Sequence, residues 1–380
     1  MNNSENNNVN SNINYSSQGS FQPGLQGQVQ KMPVNGINYN VNAQNIGNGT
    51  VQQPTMNNGF VPLDPKEFPI ITNYCENLTA KKYVTNPAIE RDEEIKKAML
   101  ILLTPDKSVL LIGKAGIGKT AIVEGIAYKI QRGDVPDALR GYQIFKINSS
   151  SMLGTMVVDG KEETVTNLIV AELKRAPKTI IFIDEIHTLI GGSADGPMDL
   201  ANILKPALDR GDIKAIGATT TMEYEIYIVK DRAFLRRFDR VDVAEPDFNA
   251  TVQILLGTIP KIEYQTGIKM IQNSYLAKML VESIVSATSE FKRVYGLSAM
   301  YPDVSLSVLS AAFSNALFEN RKEVGILDVY MAIRNSKRIY PDSRVKECNA
   351  FREKFKRICD DSNIVLPDVK LQDIDTGDDL

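Results

Sequence analysis

Beyond residue 85 the chain alternates between short apolar runs and longer segments whose apolar positions recur every three or four residues. Runs at 107–112, 144–147, 179–183 and 213–217 are too short for helices and too continuously apolar to face water, so they predict buried strands. Between them, residues 92–103 place Ile95, Ala98, Met99 and Leu102 on one helical face. The acidic first turn of that segment suits the positive end of a helix dipole. Helices are also predicted over 120–132, with Gly133 as the stop, over 165–174 and over 198–208. Strands alternating with amphipathic helices imply an α/β fold, a parallel sheet held between helices. After Pro246 the strand signal fades. Helical periodicity continues near 250–263, 276–295, 304–320 and 326–338, which predicts a small all-α lid.

The flanks are built differently. Residues 1–60 are rich in Asn, Gln, Ser and Gly, with Glu5 and Lys31 as their only charges. Such a polymer buries too little apolar surface to offset its ordering entropy and is expected to be a disordered tail. Residues 61–85 read as a linker punctuated by Pro62, Pro65 and Pro69, with a short helix around 74–83. The phosphate-binding part spans 86–246 and the helical lid 247–345. Residues 346–380 form an amphipathic helix and an acidic tail.

Composition then narrows the classes. Hydrophobic residues at 43% and charged residues at 23% fit a globular protein, and a net charge of -3 gives no general attraction to nucleic acid or an anionic membrane. No segment is apolar enough for a membrane span. Cys75, Cys348 and Cys359 are scattered without a CxxC pair, which argues against a disulfide framework or zinc site and for a reducing cytoplasm.

Two motifs carry chemistry. Residues 113–120, GKAGIGKT, fit GxxxxGK[ST] with a strand before and a helix after. Gly113, Ala115, Gly116, Ile117 and Gly118 would turn main-chain N–H groups toward phosphate, with the helix dipole aimed at the same anion. Lys119 would reach the β- and γ-phosphates of ATP, and Thr120 would ligate Mg2+. The strand at 179–183 ends in Asp184 and Glu185. Asp184 is placed for the magnesium shell, and Glu185, one residue on, to orient the attacking water. His187, the one histidine, has no second His or Cys ligand nearby and reads as a polar contact at a helix start.

With these motifs in place, the chain resembles the AAA+ ATPases of the Clp family, in particular the first module of ClpA, ClpB and ClpC. The resemblance rests on NPAIERDEEI (86–95), LLIGKAGIGKTAIVEGIA (110–127), IIFIDEIHTLIGG (180–192), DLANILKPALDRG (199–211), IGATT (216–220) and FLRRFDRV (234–241). It runs from about Tyr74 to Asp303. It implies a P-loop AAA+ module followed by a helical lid, ATP hydrolysis, and assembly into a hexameric ring acting on a client protein. It also implies that Thr220 senses the γ-phosphate, that Arg236 and Arg237 are arginine fingers for the neighbouring subunit, and that Ile89 sits against the adenine. Glu90 stands where the family has glycine.

Three departures qualify the resemblance. The segment that carries an aromatic pore residue in the family reads here as GTMVVDG (154–160), leaving Met156, Val157 and Val158 as the apolar candidates for substrate contact. YPDVS (301–305) replaces LPDKA. The sequence contains no second P-loop, no coiled-coil insertion and no loop suited to docking a protease. A protein-remodelling motor is therefore expected, with a non-threading assembly switch or a nucleotide-gated scaffold as alternatives.

Overall fold

In the computed structural model, residues 62–147, 154–158, 160–189, 206–208, 210, 212–295 and 300–370 are described, all within the compact unit Thr55–Leu380. The tail at 1–60, most of the predicted helix at 198–208 and the acidic end beyond 370 lie outside these residues.

A six-stranded sheet in the order β1-β3-β6-β7-β2-β8 organises the first part. Its strands are β1 (Cys75–Asn77), β2 (Ser108–Ile112), β3 (Gln143–Ile147), β6 (Thr179–Ile183), β7 (Lys214–Thr219) and β8 (Phe238–Asp242). All pairs are parallel except β1 with β3. Alternation along the strands explains why they read as continuously apolar. Leu110, Ile112, Ile181 and Ile183 pack into a core on one face, and Val109, Leu111, Ile180 and Phe182 into a core on the other. Helices α2 (Asp92–Leu103) and α3 (Lys119–Arg132) supply Ile95, Ala98, Leu102, Ile122, Val123 and Ile126 to the second face. Helices α1 (Pro69–Tyr74) and α4 (Val165–Arg175) cover the first, with Ile71, Ile169 and Leu173.

Two local differences from the sequence reading have physical causes. The short helix expected around 74–83 lies earlier, at Pro69–Tyr74. Proline suits its first turn, and Glu172 of α4 accepts from the N–H groups of Ile70 and Ile71 at 3.1 and 2.8 Å. The segment after it leaves as an edge strand. The hairpin of β4 (Thr155–Val158) and β5 (Lys161–Thr164) was not predicted, because KEET has no apolar alternation to betray it.

Beyond the sheet, helices Phe248–Thr266, Ser274–Ala287, Asp303–Phe318, Ile326–Arg334 and Pro341–Asp361 build a third core around Leu280, Ile284, Leu309, Phe313 and Tyr330. Cys348, Phe351 and Phe355 of the last helix belong to this core. Asp247 and Asn273 cap their helices by accepting from Ala250 and Leu276, at 2.8 and 3.1 Å. A two-stranded parallel pair, β9 (Lys269–Met270) with β10 (Glu323–Val324), ties helix ends together. Among the described residues no helix is long and apolar enough to cross a membrane.

Candidate active site

Strands β6, β7 and β2 are neighbours, and each ends at the same edge of the sheet, where open α/β sheets hold ligands. Register fixes the alignment: Ile112 pairs with Thr219, and Ile183 with Gly217. The loop after β2, the acids after β6 and the threonines after β7 therefore converge. Gly113 opens the loop because nothing larger fits; a Cβ there would lie 2.4 Å from the Val243 carbonyl oxygen. Gly118, at φ 99°, turns the chain into α3 in the left-handed region that favours glycine.

The convergence is close. Lys119 is buried and donates to the carbonyls of Gly113 and Lys114 at 2.9 and 3.0 Å, folded back on the loop it serves. Burial draws its ammonium below the usual lysine range, opposed by Glu185, Asp184 and Glu223. The Thr120 hydroxyl donates to Asp184 Oδ2 at 3.2 Å, so the two residues read from the motifs as magnesium ligands present hard oxygen donors side by side. Lys146 on β3 lies 3.5 Å from the same Asp184 oxygen. Asp184 borders a cavity of about 580 Å³ whose walls also include Ala115, Gly116, Gly118, Lys119, Thr120 and Glu185.

Glu185 adopts a left-handed backbone, φ 55°, unusual for a residue with a side chain. Its Oε2 lies 3.4 Å from His187 Nδ1, which is also 3.1 Å from Glu223 Oε2 and 3.2 Å from Thr219 Oγ1. Burial, and then the Glu223 charge, raise the Glu185 carboxyl above the usual range. Burial would raise Glu223 too, but the Thr220 N–H, the threonine hydroxyls and His187 outweigh it and hold that carboxyl low. His187 is thus more than a helix-start contact: it stands in a short 3₁₀ turn between two acids.

The remaining sequence candidates fall in different places. Thr220 caps the turn Thr221–Glu223, its hydroxyl accepting from Glu223 N while Glu223 accepts from Thr220 N. Ile117 is buried beneath the loop, and its carbonyl accepts from Arg91 at 2.7 Å. Ile89 packs against Gly257 of the first lid helix and does not line the cavity; that end is walled by Val84, Thr85, Pro87, Ile254, Tyr264 and Leu306. Arg236 is exposed, Arg237 half-buried, and neither lines the cavity of its own chain. In the hairpin, alternation separates the apolar trio. Val157 points to solvent, Val158 is half-buried, and Met156 turns inward, its sulfur 3.4 Å from the Tyr74 hydroxyl.

Four neighbours of the site were not singled out from sequence: Thr219, Glu223, Lys146 and Arg91. Glu223 had a readable signal, since Thr220-x-x-Glu223 has capping-box spacing. Arg91 ties the loop to the segment that leads into the lid: besides Ile117 it donates to the Ala244 carbonyl at 3.0 Å and pairs with Glu94 at 2.9 Å. On the lid side Glu245 holds Arg293 at 2.7 Å and the Tyr301 N–H at 2.8 Å.

Residues 109–244 match the ATPase family associated with various cellular activities (AAA). The chain is 35% identical to chaperone protein ClpB of Porphyromonas gingivalis over 314 residues, covering 81% of this chain and 34% of that protein. Against chaperone protein ClpB of Bacteroides thetaiotaomicron the identity is 39% over 254 residues, 66% of this chain and 28% of that protein. The chain thus spans about a third of these curated relatives. Among solved structures, the S. cerevisiae Hsp104:casein complex in its extended conformation superposes with a TM-score of 0.60 at 31% identity, covering 77% of this chain and 49% of that one.

Proposed function

We take as premise that this chain carries an AAA ATPase module, homologous to the first ATPase module of ClpB and Hsp104, and we propose that it hydrolyses ATP to remodel a partner protein. One observation carries the catalytic part of this reading: Lys119, Thr120, Asp184 and Glu185 meet around one cavity at the ends of β2 and β6, two parallel strands separated only by β7. Lys119 leaves its carbonyl partners for the β- and γ-phosphates. Thr120 and Asp184 would hold magnesium, which neutralises phosphate charge when bound. Glu185 orients the attacking water, with Thr220 contacting the γ-phosphate or that water. Arg236 and Arg237 lie outside their own cavity and serve a neighbour's site in a ring, hexameric by likeness to the family. Glu185→Gln is expected to bind ATP normally and to lose turnover, measured as nucleotide affinity against phosphate release. Wild-type hydrolysis in that variant would remove Glu185 from the mechanism.

What the module does to its client rests on the hairpin. Its exposed apolar side chain is Val157, a small contact compared with an aromatic ring. That size favours, as a second reading, a ring that switches shape around a partner without threading it. Val157→Ser separates the two readings. Threading predicts that unfolding of a tagged client slows severalfold while ATP turnover is kept; unchanged unfolding supports the switch.

A further inference from the structure

Three acceptors crowd one ring nitrogen beside the acid that faces the nucleotide. Glu185 Oε2, Glu223 Oε2 and Thr219 Oγ1 all lie within 3.4 Å of His187 Nδ1. Ionised carboxylates only accept, so Nδ1 must be the donor, and it carries one hydrogen. Glu223 is the nearest at 3.1 Å and is itself fixed by the Thr219 hydroxyl at 3.2 Å and the Thr220 N–H at 3.0 Å. The imidazole plane is held from the side as well, stacked on Tyr227 at 5.9 Å and 20°. The single Nδ1 hydrogen therefore lies between the two carboxylates, shared by Glu223 at 3.1 Å and Glu185 at 3.4 Å, in a ring whose plane Tyr227 holds. Without it, two carboxylates would face each other with no donor between them.

We propose that His187 is the positioning residue for Glu185, and that Glu223 and Tyr227 tie this function to the segment bearing Arg236 and Arg237. The tie is a continuous run of main-chain bonds. The cap at Thr220 leads into the π-helical turn Tyr224–Ile228, closed by Val229 N to Tyr224 O at 3.0 Å. Asp231 N then reaches Ile228 O, Leu235 N reaches Asp231 O and Arg237 N reaches Phe234 O, at 3.0, 3.1 and 3.0 Å. A shift of the arginines on contact with a neighbouring subunit would move Glu223 and Tyr227, and with them the imidazole that aims the acid. This inference rests on the ATPase reading above and extends it to regulation of the same site.

The test uses the full chain under conditions in which it assembles, with the wild type and Glu185→Gln measured alongside. His187→Ala should lower kcat by on the order of 10- to 100-fold, the scale for a misaimed catalytic group, with nucleotide Kd within about twofold. His187→Gln, which can still donate, should recover much of the rate. Adding Glu223→Gln to His187→Ala should also raise turnover severalfold, because the amide removes the facing charge and offers Glu185 a donor. A role confined to packing would show neither rescue. Wild-type kcat in His187→Ala, or a loss equal in His187→Gln and untouched by Glu223→Gln, overturns the proposal. If Glu185→Gln hydrolyses ATP like the wild type, the ATPase reading of Glu185 falls first and takes this inference with it.

Discussion

The two ends of the nucleotide cavity are built by different means. At the phosphate end the groups come in two short runs, the loop and helix start at 113–120 and the acids at 184–185, brought together by main-chain geometry and strand register. At the lid end the wall is assembled from Val84–Pro87 of the linker, Ile254 and Tyr264 of the first lid helix, and Leu306 of another, residues far apart in the chain. Under the proposed function the phosphate end is expected to be sensitive to single substitutions and the lid end to respond by graded changes in affinity.

Beyond the loss of turnover expected for Glu185→Gln, the largest effect that sharpens this contrast comes from outside the chain's own cavity. Arg236→Ala with Arg237→Ala should lower turnover on the order of 10³-fold or more if the arginines complete the phosphate end of a neighbouring site. ATP affinity of the isolated subunit should be unchanged. Mixing the double variant with Glu185→Gln subunits gives a stricter check, since a ring containing both should regain some activity where each intact finger meets an intact acid. A normal rate in the double variant would make the pair a surface charge cluster and leave the phosphate end complete within one chain.

The lid end should respond weakly and selectively. Ile254 is buried, yet it stands apart from the lid core that Val252 and Leu255 join. It lines the cavity instead. Ile254→Ala should weaken ATP binding by roughly 4- to 15-fold, the worth of one or two methylenes at about 0.8 kcal/mol each. Affinity for inorganic tripolyphosphate, which reaches only the phosphate end, should not change. Equal losses for both ligands would mean that the two ends are one mechanical unit, coupled through Arg91 and the Ala244 carbonyl.

Legibility follows the same division. The phosphate loop, Asp184 and Glu185 could be read because their spacing is the mechanism, and β2 and β6 because burial on both faces makes a strand wholly apolar. β8, FDRVD, escaped because an edge strand with one buried residue per face carries no run. Val157 could not be told from Met156 until the hairpin supplied a period of two. The closeness of Ile89 to Gly257 depends on how the first lid helix lies, which no local spacing encodes. The cluster at His187 was invisible for a different reason. His187 and Glu223 lie on separate turns and meet only because β6 and β7 are neighbours.

The smallest expected effect tests whether the turn before α2 is tuned or merely tolerated. Glu90 is exposed and holds φ 58°, a left-handed region that favours glycine. A side chain in that region costs about 1 kcal/mol or somewhat more, because Cβ crowds the following carbonyl. Glycine would relieve the crowding but would also free the unfolded chain, which offsets roughly half of the gain. Glu90→Gly should therefore raise stability by about 0.5 kcal/mol, read from urea unfolding midpoints at constant slope. Nucleotide affinity should hold, because residue 90 points to solvent while its neighbour Ile89 keeps its contact with Gly257. A drop in ATP affinity with the expected gain in stability would mean that the strained backbone presses Ile89 onto the lid helix. The lid end would then be preorganised by strain, much as the phosphate end is by its glycines.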